Sequence, residues 1–180
     1  MQTWGAAVEL EHLSPENRDF VDAFDAAMGR AGYDCGGRIG PGYCWGRHMM
    51  IYRKTGAKSQ SVAARIYIRD DGVSLRLFLN GVDKHRAFLE NASAHVLEPF
   101  VNDHGRCNHC HNQGRIGEQC PQCTTSQKAD GCRFRKSYTL FGQSIDKCNG
   151  ITFEYRAPQA EYLDEYMALL AEFYPRRGRG

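Results

Sequence analysis

The chain has no long hydrophobic run, since no stretch of about 18 apolar residues occurs in it. Its opening segment, Met1 to Glu11, also lacks the basic segment and apolar core of a secretory signal peptide. The chain also lacks an excess of charge of either sign, with 23 Lys and Arg against 21 Asp and Glu. We therefore expect a cytoplasmic protein with no membrane partner, and the weak net charge argues against nucleic acid as a partner.

Motifs that indicate catalysis are also missing. The glycine-rich stretch from Asp34 to Gly46 has neither the G-x-x-x-x-G-K-[ST] nor the G-x-G-x-x-G spacing that cradles phosphates. No G-x-S-x-G nucleophile motif and no H-E-x-x-H zinc motif occurs. We expect a protein that is not an enzyme.

What is present is an ordinary globular composition of 180 residues, 42% hydrophobic and 24% charged. This length suits one domain with its own core, and we expect a single domain over residues 1–180. The order of periodic segments predicts an α+β fold. In it, an antiparallel sheet of about five to six strands is packed by N- and C-terminal helices.

Helices are indicated at both ends of the chain. Ser14-Pro15 reads as an N-cap followed by proline at the first helical position. A second long helix starts after Pro158 and stops at Pro175, and two short helices lie between Val82 and a stop near Pro99. The apolar stripes of the two long helices are Phe20, Val21, Phe24, Ala27, Met28 and Ala31 in the first, and Tyr162, Leu163, Tyr166, Met167, Leu170 and Phe173 in the last.

Alternating apolar residues predict the strands. A run from Val62 to Arg69 is followed, across an Asp71-Gly72 turn, by a second run with the same period. Later in the chain, residues 134–148 predict a hairpin with a three-residue turn, Phe141 to Gln143. Ile151 to Arg156 predict a half-buried strand.

The polar face of the first hairpin holds candidate ligand-binding residues. A turn at Asp71-Gly72 places Tyr67 opposite Arg76 and Arg65 opposite Phe78. With Trp45 from the glycine-rich loop, these side chains predict a wall that binds an anionic or aromatic small molecule of unknown identity. The alternative interpretation is a solvated sheet face.

Six of the eight cysteines fall between positions 107 and 148. C-x-x-C pairs in a reducing cytosol favour metal ligands over disulfides, and zinc is the expected cofactor. The surrounding segment, residues 103–132, has almost no large apolar side chain, so metal binding would supply its order. The six candidate ligands are Cys107, Cys110, Cys120, Cys123, Cys132 and Cys148.

Spacing leaves the ligand set open. Two local pairs, Cys107-x2-Cys110 and Cys120-x2-Cys123, would form a compact zinc knuckle. Alternatively Cys132 and Cys148, at the open end of the later hairpin, would join the first pair.

Several short segments together suggest a family. They are Trp45-Gly46, Arg65-Ile66-Tyr67-Ile68, Asp71-Gly72 to Arg76-Leu77, Cys107-x2-Cys110, Cys132-x-Phe134-Arg135-Lys136-x-Tyr138-Thr139, Lys147-Cys148 and Phe173-Tyr174-Pro175. In these segments the chain resembles a little-characterised bacterial family of small cysteine-containing α+β proteins, and its first half is similar to YdhG-like domains. The resemblance implies a fold and a metal held by Cys107, Cys110, Cys132 and Cys148, with Cys120 and Cys123 as an insertion.

The extra pair departs from the family pattern and leaves three alternatives open. They are a different set of four sulfurs, a second site completed by His104, His109 or His111, and a cluster that shares thiolates.

These features favour a non-enzymatic, zinc-binding protein with a structural four-cysteine site and a sensor or regulatory pocket for a small molecule. A second hypothesis is a nucleic-acid or protein adaptor that uses the zinc segment as its contact surface. A third is a metal-dependent hydrolase or a thiol redox enzyme, which needs an open coordination site or a reactive cysteine pair.

Overall fold

The structure, a computed structural model, describes residues 4, 6–55, 61–102, 135–148 and 151–175, without the side chains of residues 44, 135 and 148. The chain divides into two units. The first comprises Met1–Phe78 and Glu154–Gly180, and the second comprises Leu79–Phe153.

A six-stranded sheet forms the centre of the first unit. Its strands are β1 (Tyr33–Asp34), β2 (Gly40–Pro41), β3 (His48–Lys54), β4 (Val62–Arg69), β5 (Gly72–Phe78) and β8 (Thr152–Arg156). The strands follow the order β1-β3-β4-β5-β8, and β2 pairs with β3 as well, so β1 and β2 share one edge of that strand. The registers of β1, β2, β4 and β5 are antiparallel, as the alternation of apolar residues predicts.

Helix α1 (Pro15–Arg30) begins where the sequence predicts. The Ser14 hydroxyl accepts a hydrogen bond from the Asn17 backbone N–H at 3.4 Å, which satisfies one of the free N–H groups of the first turn. Its predicted apolar stripe is buried except for Ala31, which is half-buried and caps the end of the helix. Phe24 meets the ring of Tyr52 edge-on at 5.4 Å between centroids. The helix therefore covers the sheet face on which β3 places Tyr52.

The C-terminal helix α4 (Leu163–Phe173) packs on the same face. A 3-10 turn, Ala160–Tyr162, precedes it. Its Tyr166 ring lies 4.9 Å from that of Tyr155 on β8 and 6.2 Å from that of Phe20 on α1. The predicted stripe is partly wrong, because Leu169 is buried while Met167 is only half-buried.

The first hairpin has a register different from the predicted one. Arg69 pairs with Gly72 and Tyr67 with Ser74, so the two turn residues are Asp70 and Asp71. Arg65 consequently lies opposite Arg76 rather than opposite Phe78. A shift by two residues leaves every side chain on its predicted face, so the hydrophobic pattern could not distinguish the two registers.

The second unit combines short helices with a separate hairpin. Strands β6 (Arg135–Leu140) and β7 (Gln143–Cys148) form a two-stranded sheet. The predicted three-residue turn is wrong: Leu140 pairs with Gln143. Phe141 and Gly142 alone make the turn, both with positive φ (52° and 72°), as a tight two-residue hairpin loop requires.

Three helical segments precede that hairpin. They are a 3-10 turn (Val82–His85), α2 (Arg86–Leu89) and α3 (Ala94–Val101). The predicted stop near Pro99 is wrong, because α3 continues through this proline for two more residues. The fixed φ of proline is itself helical, and the helix is weakened only locally, by the missing N–H and by the contact of the ring with the carbonyl four residues earlier.

Strand β8 departs from the half-buried alternation that its sequence predicts. Thr152 and Glu154 are buried as well as Phe153 and Tyr155. Among the described residues, no helix is both long enough and apolar enough to cross a membrane.

Candidate functional site

The face of the sheet opposite α1 and α4 is rich in arginine. Strand alternation brings one side-chain set of β3, β4, β5 and β8 to this side of the first unit. We call it the arginine face, and its members are Met49, Ile51, Arg53, Arg65, Tyr67, Arg69, Ser74, Arg76, Phe78, Glu154 and Arg156.

Three predicted ligand-binding residues form one stacked cluster on this face. The indole of Trp45 stacks on the ring of Tyr67, with centroids 5.6 Å apart and planes inclined by 28°. The guanidinium carbon of Arg76 lies 4.2 Å from the Trp45 ring centroid and 5.0 Å from that of Tyr67. Such cation–π contacts contribute about 0.5 to 2 kcal/mol each, depending on how far they are desolvated.

The other two predicted residues lie beside this cluster. The guanidinium carbon of Arg65 is 5.1 Å from the Phe78 ring centroid, and its Nη1 donates to the Tyr67 hydroxyl at 3.4 Å. The structure therefore brings all five predicted residues together, although the cross-strand pairs are not the predicted ones. Tyr67 and Arg76 are buried, whereas Trp45, Arg65 and Phe78 are half-buried.

Sequence reasoning missed Glu154, the carboxylate that holds two of the arginines. Its Oε1 accepts from Arg69 at 2.7 Å and its Oε2 accepts from Arg76, whose side chain is 9% exposed. Burial opposes the ionisation of Glu154, but Arg76, Arg69 and Arg156 together hold its pKa below the usual value. A clue was present in the sequence, because a strand face with several arginines needs a carboxylate on a neighbouring strand.

The turn that carries Trp45 is fixed by close backbone contacts. Gly42 N–H donates to the Arg47 carbonyl at 2.9 Å, and Arg47 N–H donates to the Ile68 carbonyl at 2.8 Å. A Cβ added at Gly46 would lie 2.5 Å from the Ile68 oxygen, and one added at Gly42 would lie 2.2 Å from the Gly46 oxygen. Only glycine allows this approach, so both positions are needed to hold the indole against the sheet.

A cavity of about 580 Å³ opens at the edge of the same sheet. The chain leaves β3 after the Asp34–Arg53 pair and rejoins it at the Gly40–Met49 pair, and the loop between them walls the cavity. Its lining residues are Asp34, Cys35, Gly36, Arg38, Ile39, Gly40, Pro41, Tyr43, Met49, Ile51 and Arg53. A volume of roughly 300 to 1,000 Å³ is typical of small-molecule sites.

Cys35 is the cysteine of this cavity. Its Sγ lies 3.8 Å from Asp25 Oδ1, which also accepts from the Tyr52 hydroxyl at 3.2 Å. Burial and the Asp25 carboxylate raise the pKa of the Cys35 thiol. The thiol is therefore protonated at neutral pH and is a poor nucleophile.

The predicted metal ligands are not tested by this geometry. Five of the six cysteines, from Cys107 to Cys132, lie outside the described residues, and Cys148 is described only by its backbone. Within the described ranges, no three His, Cys, Asp or Glu side chains are grouped closely enough to hold a metal ion.

The described parts of the second unit nevertheless locate the two stretches of the chain that flank residues 103–132. The buried Lys147 donates from Nζ to the carbonyls of Pro99, at 2.6 Å, and Asn102, at 3.4 Å. Arg135 pairs with Cys148 in the hairpin. The chain therefore enters and leaves the segment beside the last two residues of β7.

Comparison with known proteins adds no assignment to this geometry. No protein-family model, no curated protein and no solved structure matches the chain.

Proposed function

We propose that the protein is a non-enzymatic small-molecule-binding protein of the sensor or regulatory type, acting in the cytoplasm. Its binding site would lie on the arginine face, with a structural zinc site of four cysteines in the second unit. The ligand it suits is an anion with an aromatic or apolar body, because guanidinium groups and aromatic rings are the chemistry that this face offers.

One observation carries this proposal: buried donors without acceptors gather on the arginine face. The Nε atoms of Arg53, Arg65 and Arg69 and the hydroxyl of Ser74 are buried and have no hydrogen-bond partner among the described residues. A buried donor without an acceptor costs about 1 to 3 kcal/mol. Four of them on one face favour a ligand that brings acceptor atoms.

The charge on this face supports the same conclusion. Its five arginines, at positions 53, 65, 69, 76 and 156, are opposed by two carboxylates, those of Glu154 and of Asp34, which lies across from Arg53 on β1. This leaves three formal positive charges among these seven residues. Stability alone does not require such an arrangement, since apolar side chains of similar volume often replace buried ion pairs at no cost. A concentrated positive field raises the local concentration of anions.

A non-enzymatic role fits the composition of the face. None of its members is a histidine, cysteine or lysine, the side chains that most often transfer protons or act as nucleophiles near neutral pH. Glu154, the acidic member, is committed to Arg69 and Arg76.

The binding proposal is tested by NMR of the arginine Nε–H groups in protein labelled with ¹⁵N-arginine. A thermal-shift screen would first compare anionic aromatic compounds with neutral analogues of the same shape. We expect the compounds that raise the unfolding temperature to be anions. When bound, they should shift the Nε–H signals of arginines on the arginine face. Arg86 serves as an internal control, because its Nε already donates to the Thr139 carbonyl at 3.0 Å in the second unit.

The proposal fails if no anionic compound is preferred over its neutral analogue. It fails equally if bound anions shift Arg86 as strongly as they shift the face arginines.

For the zinc site, the position of the segment ends favours Cys107, Cys110, Cys132 and Cys148. Cys107 follows Asn102 by five residues, and Cys132 precedes Arg135 by three. At roughly 3.5 Å per residue, the chain length keeps each cysteine within about 18 Å of Asn102 or Arg135. Four thiolates close the coordination of zinc, which then supplies folding free energy to the segment. This set is also the one that the family resemblance implies.

Metal analysis of the purified protein tests this assignment. We expect about one zinc per chain, retained by Cys120→Ser and lost in Cys148→Ser. Retention by Cys148→Ser with loss in Cys120→Ser would establish the local knuckle instead. Protein that is folded, metal-free and indifferent to chelators would contradict both sets.

A further inference from the structure

We infer that the cavity between β3 and the loop Asp34 to Gly40 is a binding site for an aromatic carboxylate, with Arg53 as the residue that holds the carboxylate. This inference rests on the proposed function and deepens it, because it names the ligand class and the place on the arginine face where the ligand binds.

Arg53 is the charged residue on the sheet side of the cavity, and it has no counter-charge in the described part of the chain. It lines the cavity, its Nε is buried, and it has no ion pair among the described residues. Asp34 lies directly across from it in the β1–β3 register and is the natural candidate for a counter-charge. The two do not form an ion pair.

The reason is that both oxygens of Asp34 are engaged elsewhere. Oδ2 accepts from the Thr55 hydroxyl at 2.8 Å, and Oδ1 accepts from the Gly36 backbone N–H at 3.0 Å. These bonds close the turn at the start of the loop and hold the carboxylate toward the loop backbone and Thr55. Within the described ranges Arg53 therefore has no counter-charge, and we assign the two terminal nitrogens of its guanidinium group to a carboxylate, the anion whose two oxygens match them.

Arg38 adds a second positive charge to the cavity wall. It is exposed, lies on the loop opposite β3, and has no ion pair among the described residues. Arg38 and Arg53 against Asp34 leave the lining with one formal positive charge in excess, since the Cys35 thiol is neutral. A ligand with a single negative charge balances it.

The remaining walls suit an aromatic body. The uncharged side chains of the lining are mostly apolar. A methionine sulfur, such as that of Met49, makes favourable contacts with the edges of aromatic rings. The apolar side chains are Ile39, Pro41, Tyr43, Met49 and Ile51.

Tyr43 has the most unusual conformation among them. The residue is 77% exposed and its φ is +54°, a left-handed backbone conformation that bulky residues rarely adopt. The turn from Gly42 to Arg47 imposes this φ and so places an exposed ring at the cavity rim. The exposed side chain of Tyr43 gains no stability from burial that would offset the strain in its backbone. Such strained residues are typical of ligand sites.

The test compares naphthalene-2-carboxylate with naphthalene-2-carboxamide, which has the same shape and no charge, by isothermal titration of the full chain. We expect the carboxylate to bind and the amide to bind more weakly. Arg53→Gln should weaken carboxylate binding by about 10- to 100-fold and leave amide binding unchanged. Arg53→Lys keeps the charge but not the fork of donors. Its affinity for the carboxylate should lie between those of the wild type and of Arg53→Gln.

Lys54→Gln is the matched control, because it removes the same charge from the next residue, on the other face of β3. It should leave carboxylate affinity within a factor of about two. Circular dichroism of each variant confirms that the fold is intact.

A second variant separates binding from stability at the rim. Tyr43→Gly removes the ring and suits the positive φ, so the protein should unfold at an unchanged or higher temperature. Carboxylate affinity should nevertheless fall by about 5-fold. A loss of both together would assign Tyr43 to the fold rather than to the ligand.

The outcomes distinguish this inference from the proposed function. If Arg65→Gln abolishes carboxylate binding while Arg53→Gln does not, the ligand binds elsewhere on the arginine face and the cavity assignment is wrong. If neither naphthalene compound binds the wild-type protein, the cavity assignment is wrong, whereas the general function is overturned only if the screen of anionic aromatic compounds finds no ligand. Equal binding of carboxylate and amide would overturn the anion assignment alone.

Discussion

The two faces of the large sheet are built by opposite principles. The face under α1 and α4 is an apolar core in which rings such as Phe24, Tyr52 and Tyr166 meet at favourable angles. The arginine face buries charged groups, with Arg76 7% exposed and Glu154 9% exposed. The first face is explained by stability alone, whereas the second leaves donors unsatisfied and therefore indicates a function.

The largest expected effect lies on the apolar face. Phe24→Ala removes a ring with no exposed surface, and we expect it to lower the free energy of unfolding by about 4 kcal/mol. Urea denaturation followed by circular dichroism measures this. Val8→Ala, at a site 74% exposed, should change the free energy by less than about 0.5 kcal/mol. A small effect of Phe24→Ala would remove the distinction between the faces.

The next largest effect tests the charge network. Glu154→Gln leaves Arg76 and Arg69 without their carboxylate, and we expect a loss of about 3 kcal/mol in unfolding free energy. The double change Arg76→Met with Glu154→Leu removes the buried pair and leaves only the partly exposed Arg69 without a carboxylate, so it should cost less than the single change. If the double variant is the less stable one, then stability alone accounts for the charges on this face.

The same network should make stability depend on pH. The pKa of Glu154 is lowered in the folded protein, so its contribution is fully present above the ordinary pKa of about 4.5. It is lost as the pH falls below that value through the lowered pKa, because the folded state must then take up a proton that the unfolded state already holds. Denaturation between neutral and acidic pH should show a steeper loss for the wild type than for Glu154→Gln. Parallel curves would show that other groups control acid unfolding.

The smallest effect is expected at Trp45. Trp45→Leu removes the stack on Tyr67 and the contact with Arg76, and we expect a loss of about 1 to 2 kcal/mol in unfolding free energy. Trp45→Phe keeps an aromatic ring and should cost less. Ligand affinity of both variants, measured beside their stability, tells whether the indole serves the fold, the ligand or both.

Several parts of the fold were predictable because their signals are local. Ser14 and Pro15 mark the start of α1 through capping chemistry that involves only the next three residues. From Ala64 onward, the period of two in β4 and β5 assigns the side chains to the correct face, and it brought Arg65, Tyr67, Arg76 and Phe78 to one candidate site. Trp45 was added to this site from the glycine-rich loop.

Other features, which sequence reasoning predicted wrongly or did not find, depend on contacts between different strands of the sheet. The hairpin register was wrong because a shift by two residues changes no face, and only the geometry of the Asp70–Asp71 turn distinguishes the alternatives. Glu154 escaped notice because it lies 78 residues from Arg76 in the chain. The cavity could not be predicted, since it depends on two short strands, β1 and β2, that pair with the same edge of β3.

By itself, the sequence determined the long helices, the main strands with their two faces and the clustering of cysteines, because these follow from neighbours a few residues apart. Only the tertiary structure decided which carboxylate neutralises which arginine and which guanidinium remains without a partner. Charges interact through space, and the strand order β1-β3-β4-β5-β8 brings together groups that the chain keeps far apart. The unpaired donors of the arginine face are therefore a product of sheet order, and the proposed function rests on them.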